Sequence, residues 1–329
     1  MELSSVLEIF VPNIVLGGEN FFDRHPDKIV IKSYLNPPKG RLMFNPRINP
    51  SEQLDTLCGL AKSIGWGAAD ILLKERAAGF DVGGDSDSPV TSADLAANEY
   101  ILGRLQSELD DTFAYLSEET FKTEDSADRL QKSWVWIIDP LDGTKDYIQD
   151  TGDYAVQIAL AHQGRPVVAV VVCPAKNKLY SAIQGHGTWV ENKFEKSYRA
   201  KVSTRSQPSE LIVVTSRNHL GEKLKDLVKK LNISSQKQIG SVGCKVSAIV
   251  DQDADVYISI SGKTAPKDWD FAAPELILTE AGGTFTYING GLISYNREDV
   301  NQWESILATN SSCHDFIRNA AQAILNQSH

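Results

Sequence analysis

The stretch that most limits how this chain can fold is WVWII, residues 134–138, which is apolar throughout. A strand with one solvated face alternates apolar and polar residues, whereas this run places bulky side chains at both parities. Such a strand is typical of the buried centre of a sheet, so further layers must cover that sheet on both sides. The run ends abruptly in DPLDGT, residues 139–144, where two aspartates, a proline and a glycine share one short turn.

The pattern on either side of this strand predicts a layered protein in which sheets and helices alternate. Apolar residues at helical spacing predict helices over residues 51–79 and 91–109. Residues 83–90 are expected to form a polar loop. Four apolar segments joined by short polar turns between residues 153 and 190 predict an antiparallel meander. Strands and helices then alternate through the C-terminal part of the chain.

The length of 329 residues is enough for one large domain or for two lobes. We predict an N-terminal extension over residues 1–48 and an N-terminal α+β lobe over 49–195, which carries DPLDGT. Residues 196–329 are predicted to form a C-terminal α/β lobe. The boundary falls in a polar, charged stretch of the chain.

Composition excludes several classes of protein. A net charge of −10, from 43 acidic and 33 basic residues, argues against binding to nucleic acid. No apolar run approaches the roughly 20 residues that cross a bilayer, so no integral membrane segment is expected. The four scattered cysteines form no C-x-x-C pair, which is typical of reduced residues in an intracellular protein. The expected location is therefore cytoplasmic.

The turn DPLDGT has the chemistry of a site for hard divalent cations, which prefer carboxylate and backbone carbonyl oxygens. Asp139 and Asp142 can point into one space beside the Leu141 carbonyl, because Gly143 permits a close bend. If a helix starts there, the N–H groups of Gly143 and Thr144 also offer an anion site. The alternative is a solvated β-turn, since aspartate, proline and glycine favour turns for local reasons.

Two other segments bring further carboxylates. The segment LSEE ends a strand-like stretch in Glu118 and Glu119, which taken alone are more typical of surface charges than of a site. The segment KDWDFAAPELILTEAGG places Asp268 and Asp270 at a predicted helix start, where carboxylates also stabilise the helix dipole.

Taken together, SEE, DPLDGT and WDFAAPELILTEAGG occur in the order found in the magnesium-dependent, lithium-sensitive phosphatases related to inositol monophosphatase, and the chain resembles that family over about residues 51–320. The resemblance implies an α+β / α/β fold, a layered αβαβα sandwich of the inositol monophosphatase and fructose-1,6-bisphosphatase type. It also implies hydrolysis of a phosphate monoester with two or three Mg²⁺ ions per site, sensitive to lithium.

By position, the resemblance implies that Glu118, Asp139 and the Leu141 carbonyl hold a first metal ion. Asp139, Asp142 and Asp270 would hold a second. Such cations activate a water molecule for attack on phosphorus and neutralise the charge of the phosphate. No Ser-His-Asp arrangement or reactive cysteine stands out, so no covalent intermediate is needed.

The resemblance also assigns catalytic roles to Asp94, Thr144 and Glu118. Asp94 in SPVTSAD would pair with Thr144, and this pair and Glu118 would position the attacking water. The N–H groups of Gly143 and Thr144 would hold phosphate oxygens. Asp94 also fits a capping box with Thr91 at the start of the second helix, and the two roles are compatible.

Within the family, KDYI after Thr144 and the stretch SPVTSADLAAN resemble the 3′(2′),5′-bisphosphate nucleotidases, the CysQ-like branch. This implies 3′-phosphoadenosine 5′-phosphate (PAP) as substrate, cut to AMP and phosphate, with the adenylyl-sulfate analogue PAPS as a second substrate. The alternative is an inositol monophosphatase or a fructose-1,6-bisphosphatase that uses the same metal site. The expected assembly is a monomer or a homodimer.

The branch resemblance also nominates substrate contacts in TSRNH and GSVGCKVSAI, namely Arg217, His219, Ser241 and Lys245. Two weaker candidates, Lys263 and Lys267, lie in SGKTAPKDWD. The alternative for each basic residue is a solvated surface charge.

Overall fold

The computed structural model describes residues 49–85, 88–121, 127–217, 222–233, 235–260, 262 and 264–325. All of them belong to one unit of the chain, Leu42–His329. The predicted N-terminal extension, residues 1–48, lies outside the described residues. Short 3₁₀ turns occur at Pro50–Glu52, Ala127–Gln131 and Pro174–Lys176.

Two short strands, β1 (Val82–Asp85) and β2 (Ser88–Thr91), pair in an antiparallel hairpin. The prediction of a polar loop over residues 83–90 is therefore wrong. Most of the hairpin is exposed, so backbone hydrogen bonds rather than burial define it. A strand without a buried face leaves no apolar alternation in the sequence.

The larger of the two main sheets contains seven strands: β3 (Phe113–Ser117), β4 (Trp134–Asp142), β5 (Ala155–His162), β6 (Arg165–Cys173), β7 (Lys178–Ile183), β8 (Gly187–Glu191) and β9 (Tyr198–Arg199). They lie side by side in chain order. β3 and β4 are parallel, and each later pair is antiparallel. The predicted meander is confirmed as β5 to β8. Every residue of β4 is buried, as the WVWII run predicts.

The second main sheet contains five strands: β10 (Ile212–Thr215), β11 (Ser235–Gln238), β12 (Val256–Ser259), β13 (Thr284–Tyr287) and β14 (Ile306–Thr309). Their order is β11-β10-β12-β14-β13. β10 is parallel to both of its neighbours, whereas β14 is antiparallel to both of its own. The division into lobes 49–195 and 196–329 stays a prediction; the strand pairing of the first sheet continues to Arg199.

Helices cover both sheets: α1 (Leu54–Ala78), α2 (Ser92–Glu108), α3 (Glu118–Phe121), α4 (Thr144–Ile148), α5 (Glu222–Lys230), α6 (Val242–Val250), α7 (Asp268–Glu280) and α8 (His314–Leu325). α1 and α2 share an apolar core with one face of the seven-stranded sheet, which includes Trp136 and Ile138. The opposite face, with Val135 and Ile137, shares a core with α6, α7 and the inner face of the five-stranded sheet.

The outer face of the five-stranded sheet is covered by α5 and α8, through Leu227 and Ile317. The layers therefore follow the order helix, sheet, helix, sheet, helix, which confirms the expected αβαβα sandwich. Because β4 has α1 and α2 on one side and α6 and α7 on the other, its C-terminal end meets the middle helical layer. The acidic turn lies at that end. Within the described residues, no helix is both long and apolar enough to cross a membrane.

Candidate active site

The local geometry of β4 turns two carboxylates into one space. The pairing between β4 and β5 shifts register between Asp139 and Asp142, so the strand is irregular there. The Leu141 N–H donates to Asp139 Oδ1 at 3.0 Å, which holds that carboxylate inside the turn. Gly143 follows with φ of 91°, and a Cβ there would lie 3.0 Å from the Asp153 carbonyl oxygen. Only glycine adopts this conformation in this space without strain.

Asp270 completes an acidic cluster. It lies in the first turn of α7, where its Oδ2 accepts a hydrogen bond from the Lys267 N–H at 2.6 Å. Carboxylate oxygens of Asp139, Asp142 and Asp270, one from each residue, lie within 4.8 Å of one another. The structure thus brings together three residues that are far apart in the sequence, as the resemblance implies.

The electrostatics of this cluster fit a divalent cation. Burial is the main cause that raises the pKa of Asp139, and the charges of Glu118, Asp142 and Asp270 raise it further. Burial followed by the charge of Asp142 raises the pKa of Asp270 to about 6. Three neighbouring carboxylates resist ionisation together unless a cation offsets their charge. A hard cation with oxygen ligands, such as Mg²⁺, supplies that charge.

Glu118 approaches the cluster from the adjacent strand. It follows β3 directly and begins α3. Because β3 and β4 are parallel, their C-terminal ends meet at the same edge of the sheet. Glu118 is half-buried there, and its charge contributes to the raised pKa of Asp139. Its role as a metal ligand stays a prediction, as does that of the Leu141 carbonyl, which lies 3.2 Å from Thr144 Oγ1.

Asp94 and Thr144 are in contact. The Thr144 hydroxyl donates to Asp94 Oδ1 at 3.1 Å. The other oxygen of Asp94 accepts from the Thr91 N–H at 2.7 Å, and the Thr91 side chain accepts from the Asp94 N–H, which forms the capping box of α2. Both interpretations of Asp94 thus have a structural basis, since one oxygen caps the helix and the other meets Thr144. Its catalytic role stays a prediction.

The N-terminus of α6 donates two hydrogen bonds to Asp142. The Ser241 hydroxyl donates to Asp142 Oδ2 at 2.5 Å, and the Gly243 N–H donates to the same oxygen at 2.8 Å. Ser241 also caps the helix by accepting from the Cys244 N–H at 3.1 Å. One oxygen of Asp142 is therefore occupied, which leaves the other for a ligand. The sequence analysis does not single out Gly243. The sequence feature that could have indicated its contact with Asp142 is the serine that caps α6, Ser241.

Lys245 lies one turn further along α6 and is only 4% exposed. Its ammonium nitrogen is 5.3 Å from the centre of the Tyr257 ring. Burial lowers its pKa, and the charge of Asp142 opposes that shift. No side-chain hydrogen bond of Lys245 occurs among the described residues, so this buried cation is available to an anion near the acidic cluster.

Arg217, which the sequence nominates as a phosphate contact, is already paired with two carboxylates. Its guanidinium group donates to Asp146 Oδ1 and to Asp153 Oδ2. This contact ties the segment after β10 to α4 and to the loop that follows α4. A phosphate contact by Arg217, which stays a prediction, would have to share the group with two carboxylates. His219 and Lys263 lie outside the described residues. Lys267 contributes its N–H to Asp270, and its ammonium lies 5.7 Å from the Trp269 ring centre.

Fold and site together define a layered protein in which the middle helices complete a cluster of carboxylates at the end of a buried strand. This cluster is suited to a divalent cation. The chain matches the model of the inositol monophosphatase family over residues 53–326. The chain belongs to that family, which confirms the resemblance seen in the sequence.

Individual relatives within this family are named as nucleotidases or phosphatases of one kind. A protein from Escherichia coli O157:H7 named 3′(2′),5′-bisphosphate nucleotidase CysQ is 33% identical over 232 residues, which is 70% of this chain and 88% of the relative. A 3′-phosphoadenosine 5′-phosphate phosphatase from Mycobacterium leprae is 32% identical over 256 residues, covering 74% and 86%. The solved structure of CysQ from Bacteroides thetaiotaomicron superposes with a TM-score of 0.64 at 29% identity, covering 77% of this chain and 97% of that one.

Proposed function

We propose that this chain is a phosphatase that removes the 3′-phosphate of PAP, giving AMP and phosphate, and that it also accepts PAPS. One observation carries the proposal: a largely buried acidic cluster suited to divalent cations occurs in a chain whose relatives are named as nucleotidases of this specificity. Each relative is covered over 86% or more of its own length by the match, so the likeness extends across most of those proteins.

The proposed cofactor is Mg²⁺, two or three ions per site, with Asp139, Asp142, Asp270, Glu118 and the Leu141 carbonyl as ligands. When bound, the cations would supply a nucleophilic water at neutral pH and charge neutralisation on the phosphate. The three aspartates bind best when ionised, and their crowding is offset by a dication.

The remaining residues of the site are proposed to orient the substrate and the water. Thr144 donates its hydroxyl proton to Asp94, so its oxygen would accept a hydrogen bond from the attacking water and position it. The N–H groups of Gly143 and Thr144 at the start of α4 would hold phosphate oxygens. Lys245 is proposed to meet a phosphate group of the substrate, because it is a buried cation without a hydrogen-bonding partner among the described residues.

Three further contacts are carried over from the branch resemblance, at Arg217, Ser241 and His219. Sensitivity to lithium, a cytoplasmic location and a monomeric or homodimeric assembly are also part of the proposal.

The test is phosphate release from a panel of PAP, PAPS, inositol 1-phosphate and fructose 1,6-bisphosphate at equal concentration and saturating Mg²⁺. We expect kcat/KM to be highest for PAP. A preference for inositol 1-phosphate or for fructose 1,6-bisphosphate would overturn the substrate assignment and favour the other members of the family.

The matched control for this panel is Asp142→Asn, prepared in the same way. The variant keeps the shape of the side chain and removes a ligand charge, so turnover should fall by at least about 100-fold. Activity that persists in the variant would come from a contaminating phosphatase or would refute the metal site.

A further inference from the structure

Gln157 carries a buried amide that is unpaired among the residues that the structure describes. It lies in the middle of β5 and is only 1% exposed. Neither its Oε1 nor its Nε2 makes a hydrogen bond within the part of the chain that the structure describes. Most buried polar side chains are hydrogen-bonded, and an unpaired amide costs free energy relative to an apolar residue of the same shape.

The position of Gln157 relates it to the acidic cluster. Gln157 is the direct partner of Asp139 in the antiparallel pairing of β4 and β5. Side chains of directly opposed residues lie on the same face, with Cβ atoms about 4.5–5.5 Å apart. That face is the one covered by α6 and α7.

Contacts at α6 confirm this placement. A Cβ built on Gly243 would lie 3.5 Å from Gln157 Cδ. Gly243 is the same residue whose N–H donates to Asp142 Oδ2. The amide of Gln157 therefore lies beneath the N-terminus of α6, beside Asp139 and close to the residue that holds Asp142.

Packing gives no reason for an amide at this position. The other residues of β5 on this face, Ala155, Ala159 and Ala161, belong to the apolar core against α6 and α7. An apolar side chain would extend that core without an unpaired donor and acceptor. A rearrangement of the neighbouring acidic groups around a ligand would give this amide a hydrogen-bonding partner.

We propose that Gln157 is a positioning residue for the metal centre. Asp139 Oδ1 already accepts the Leu141 N–H, and Oδ2 has no hydrogen bond among the described residues. When Asp139 ligates a cation, the Gln157 amide N–H donates to its carboxylate and fixes its orientation. Groups that orient ligands in this way typically change metal affinity by about 10- to 100-fold when they are removed.

The inference rests on the metal dependence proposed above, but not on which phosphate ester is cut. It is tested by the variant Gln157→Met, which has a similar length and no polar amide, with Gln157→Leu as a second variant. Titration calorimetry with MgCl₂ and no substrate measures the Mg²⁺ Kd, and calorimetric melting in EDTA measures the Tm of the metal-free protein. We expect the Kd to rise about tenfold or more, while the metal-free Tm stays equal to or above that of the wild type.

Asn310→Leu is the matched control for the loss of a buried amide. Asn310 is 2% exposed, and its Nδ2 donates to Ser203 Oγ at 2.8 Å and to the Arg205 carbonyl at 2.9 Å. Its removal should lower the Tm and leave the Mg²⁺ Kd unchanged. If Gln157→Met behaves like this control, or if its Kd equals that of the wild type, the inference is wrong. If the wild type itself binds no Mg²⁺, the proposed metal-dependent function fails instead.

Discussion

Thr144 is the residue for which a single hydroxyl group has the clearest proposed task. Thr144→Val keeps the shape of the side chain and removes the hydrogen bond to Asp94 Oδ1. Positioning of a proton-transfer group is typically worth 10²–10⁴-fold in rate, so we expect kcat to fall by roughly 100-fold or more. Thr144→Ser retains the hydroxyl and should stay within about tenfold of the wild type. Steady-state kinetics on PAP measure both variants.

The control for this prediction is Thr188→Val. Thr188 is buried, and its hydroxyl donates to the Ile277 carbonyl at 2.6 Å, within the core. That variant should lower the Tm and leave kcat nearly unchanged. Equal kcat values for Thr144→Val and the wild type would refute the proposed role of the hydroxyl.

Sequence reasoning at the residue scale succeeds in bringing together candidate ligands that lie in motifs. Asp139, Asp142 and Asp270 are each marked by their local context, and the structure brings them together. Ser241 is nominated as a substrate contact, yet its hydroxyl donates to Asp142. Gln157 carries no local signal, because its significance comes from the pairing of β5 with β4 and from the docking of α6 above it.

At the scale of secondary structure, the start of α6 is both a helix cap and a support for the acidic cluster. Ser241 has φ of 47° and ψ of 136°, a conformation that residues other than glycine rarely adopt. Ser241→Ala loses the hydroxyl and keeps the strain, whereas Ser241→Gly loses both. We expect the glycine variant to be more stable than the alanine variant by about 1–3 kcal/mol. Urea unfolding of the metal-free proteins measures the difference.

Both Ser241 variants should bind Mg²⁺ more weakly than the wild type, since Asp142 Oδ2 loses its shortest hydrogen bond. If alanine proved as stable as glycine, the backbone at this position would not be strained. A control for backbone strain needs another residue with a positive φ. Asn296, with φ of 57°, is less suitable for Ala and Gly variants, because its side chain accepts a hydrogen bond from Arg129. Gln163, which also has a positive φ of 49°, lies in an exposed turn and is the better control.

The ion pairs of Arg217 with Asp146 and Asp153 are the second feature at the scale of secondary structure. Burial alone would raise the pKa of Asp153, but hydrogen bonds and charge from Arg217 and Lys176 outweigh burial and lower it. A carboxyl whose folded pKa is depressed stabilises the protein above its unfolded pKa of about 3.9. That stabilisation is lost as the pH falls through the lower, folded value.

Arg217→Met should therefore reduce the free energy of unfolding at pH 7 by about 2–3 kcal/mol, the worth of hydrogen bonds to a charged group. The difference from the wild type should shrink as the pH falls below about 4. Urea midpoints measured between pH 7 and pH 3 test this. A difference that stays constant with pH would assign the effect to lost packing and not to the ion pairs.

Elements are predictable from sequence where burial imposes a period or a run. β4 and the helix α7 follow from WVWII and from the acidic helix start with its closing glycines. The hairpin of β1 and β2 is not predicted, since it is exposed and held by backbone pairing. Residues 306–325 form β14 and α8, for which the sequence analysis makes no prediction. Their partners, β12 and α5, are brought to them only by the fold.

For the molecule as a whole, Mg²⁺ should act as a stabilising ligand. The chain has a net charge of −10, and its three clustered aspartates repel one another in the absence of a cation. A ligand at 100 times its Kd adds about 2.7 kcal/mol to the free energy of unfolding. We expect the Tm to rise by a few degrees on adding MgCl₂ to protein freed of metal with EDTA.

Asp142→Asn should show little of this rise, which separates binding at the cluster from a general effect of salt. A matched experiment with NaCl at equal ionic strength serves the same purpose. A Tm that is indifferent to Mg²⁺ in the wild type would contradict the assignment of the cluster as a cation site.

The hydrogen bond between Ser241 and Asp142 joins residues 99 positions apart, and Asp270 lies further along the chain still. A ribosome delivers the chain from its N-terminus at about 5–20 residues per second, so β4 emerges several seconds before α6 and α7. During that interval the nascent chain has neither the third carboxylate nor the serine that holds the second. A chain truncated before α7 would share that deficiency. All three carboxylates can therefore hold the proposed cation only after α7 has been synthesised and has docked against the sheet.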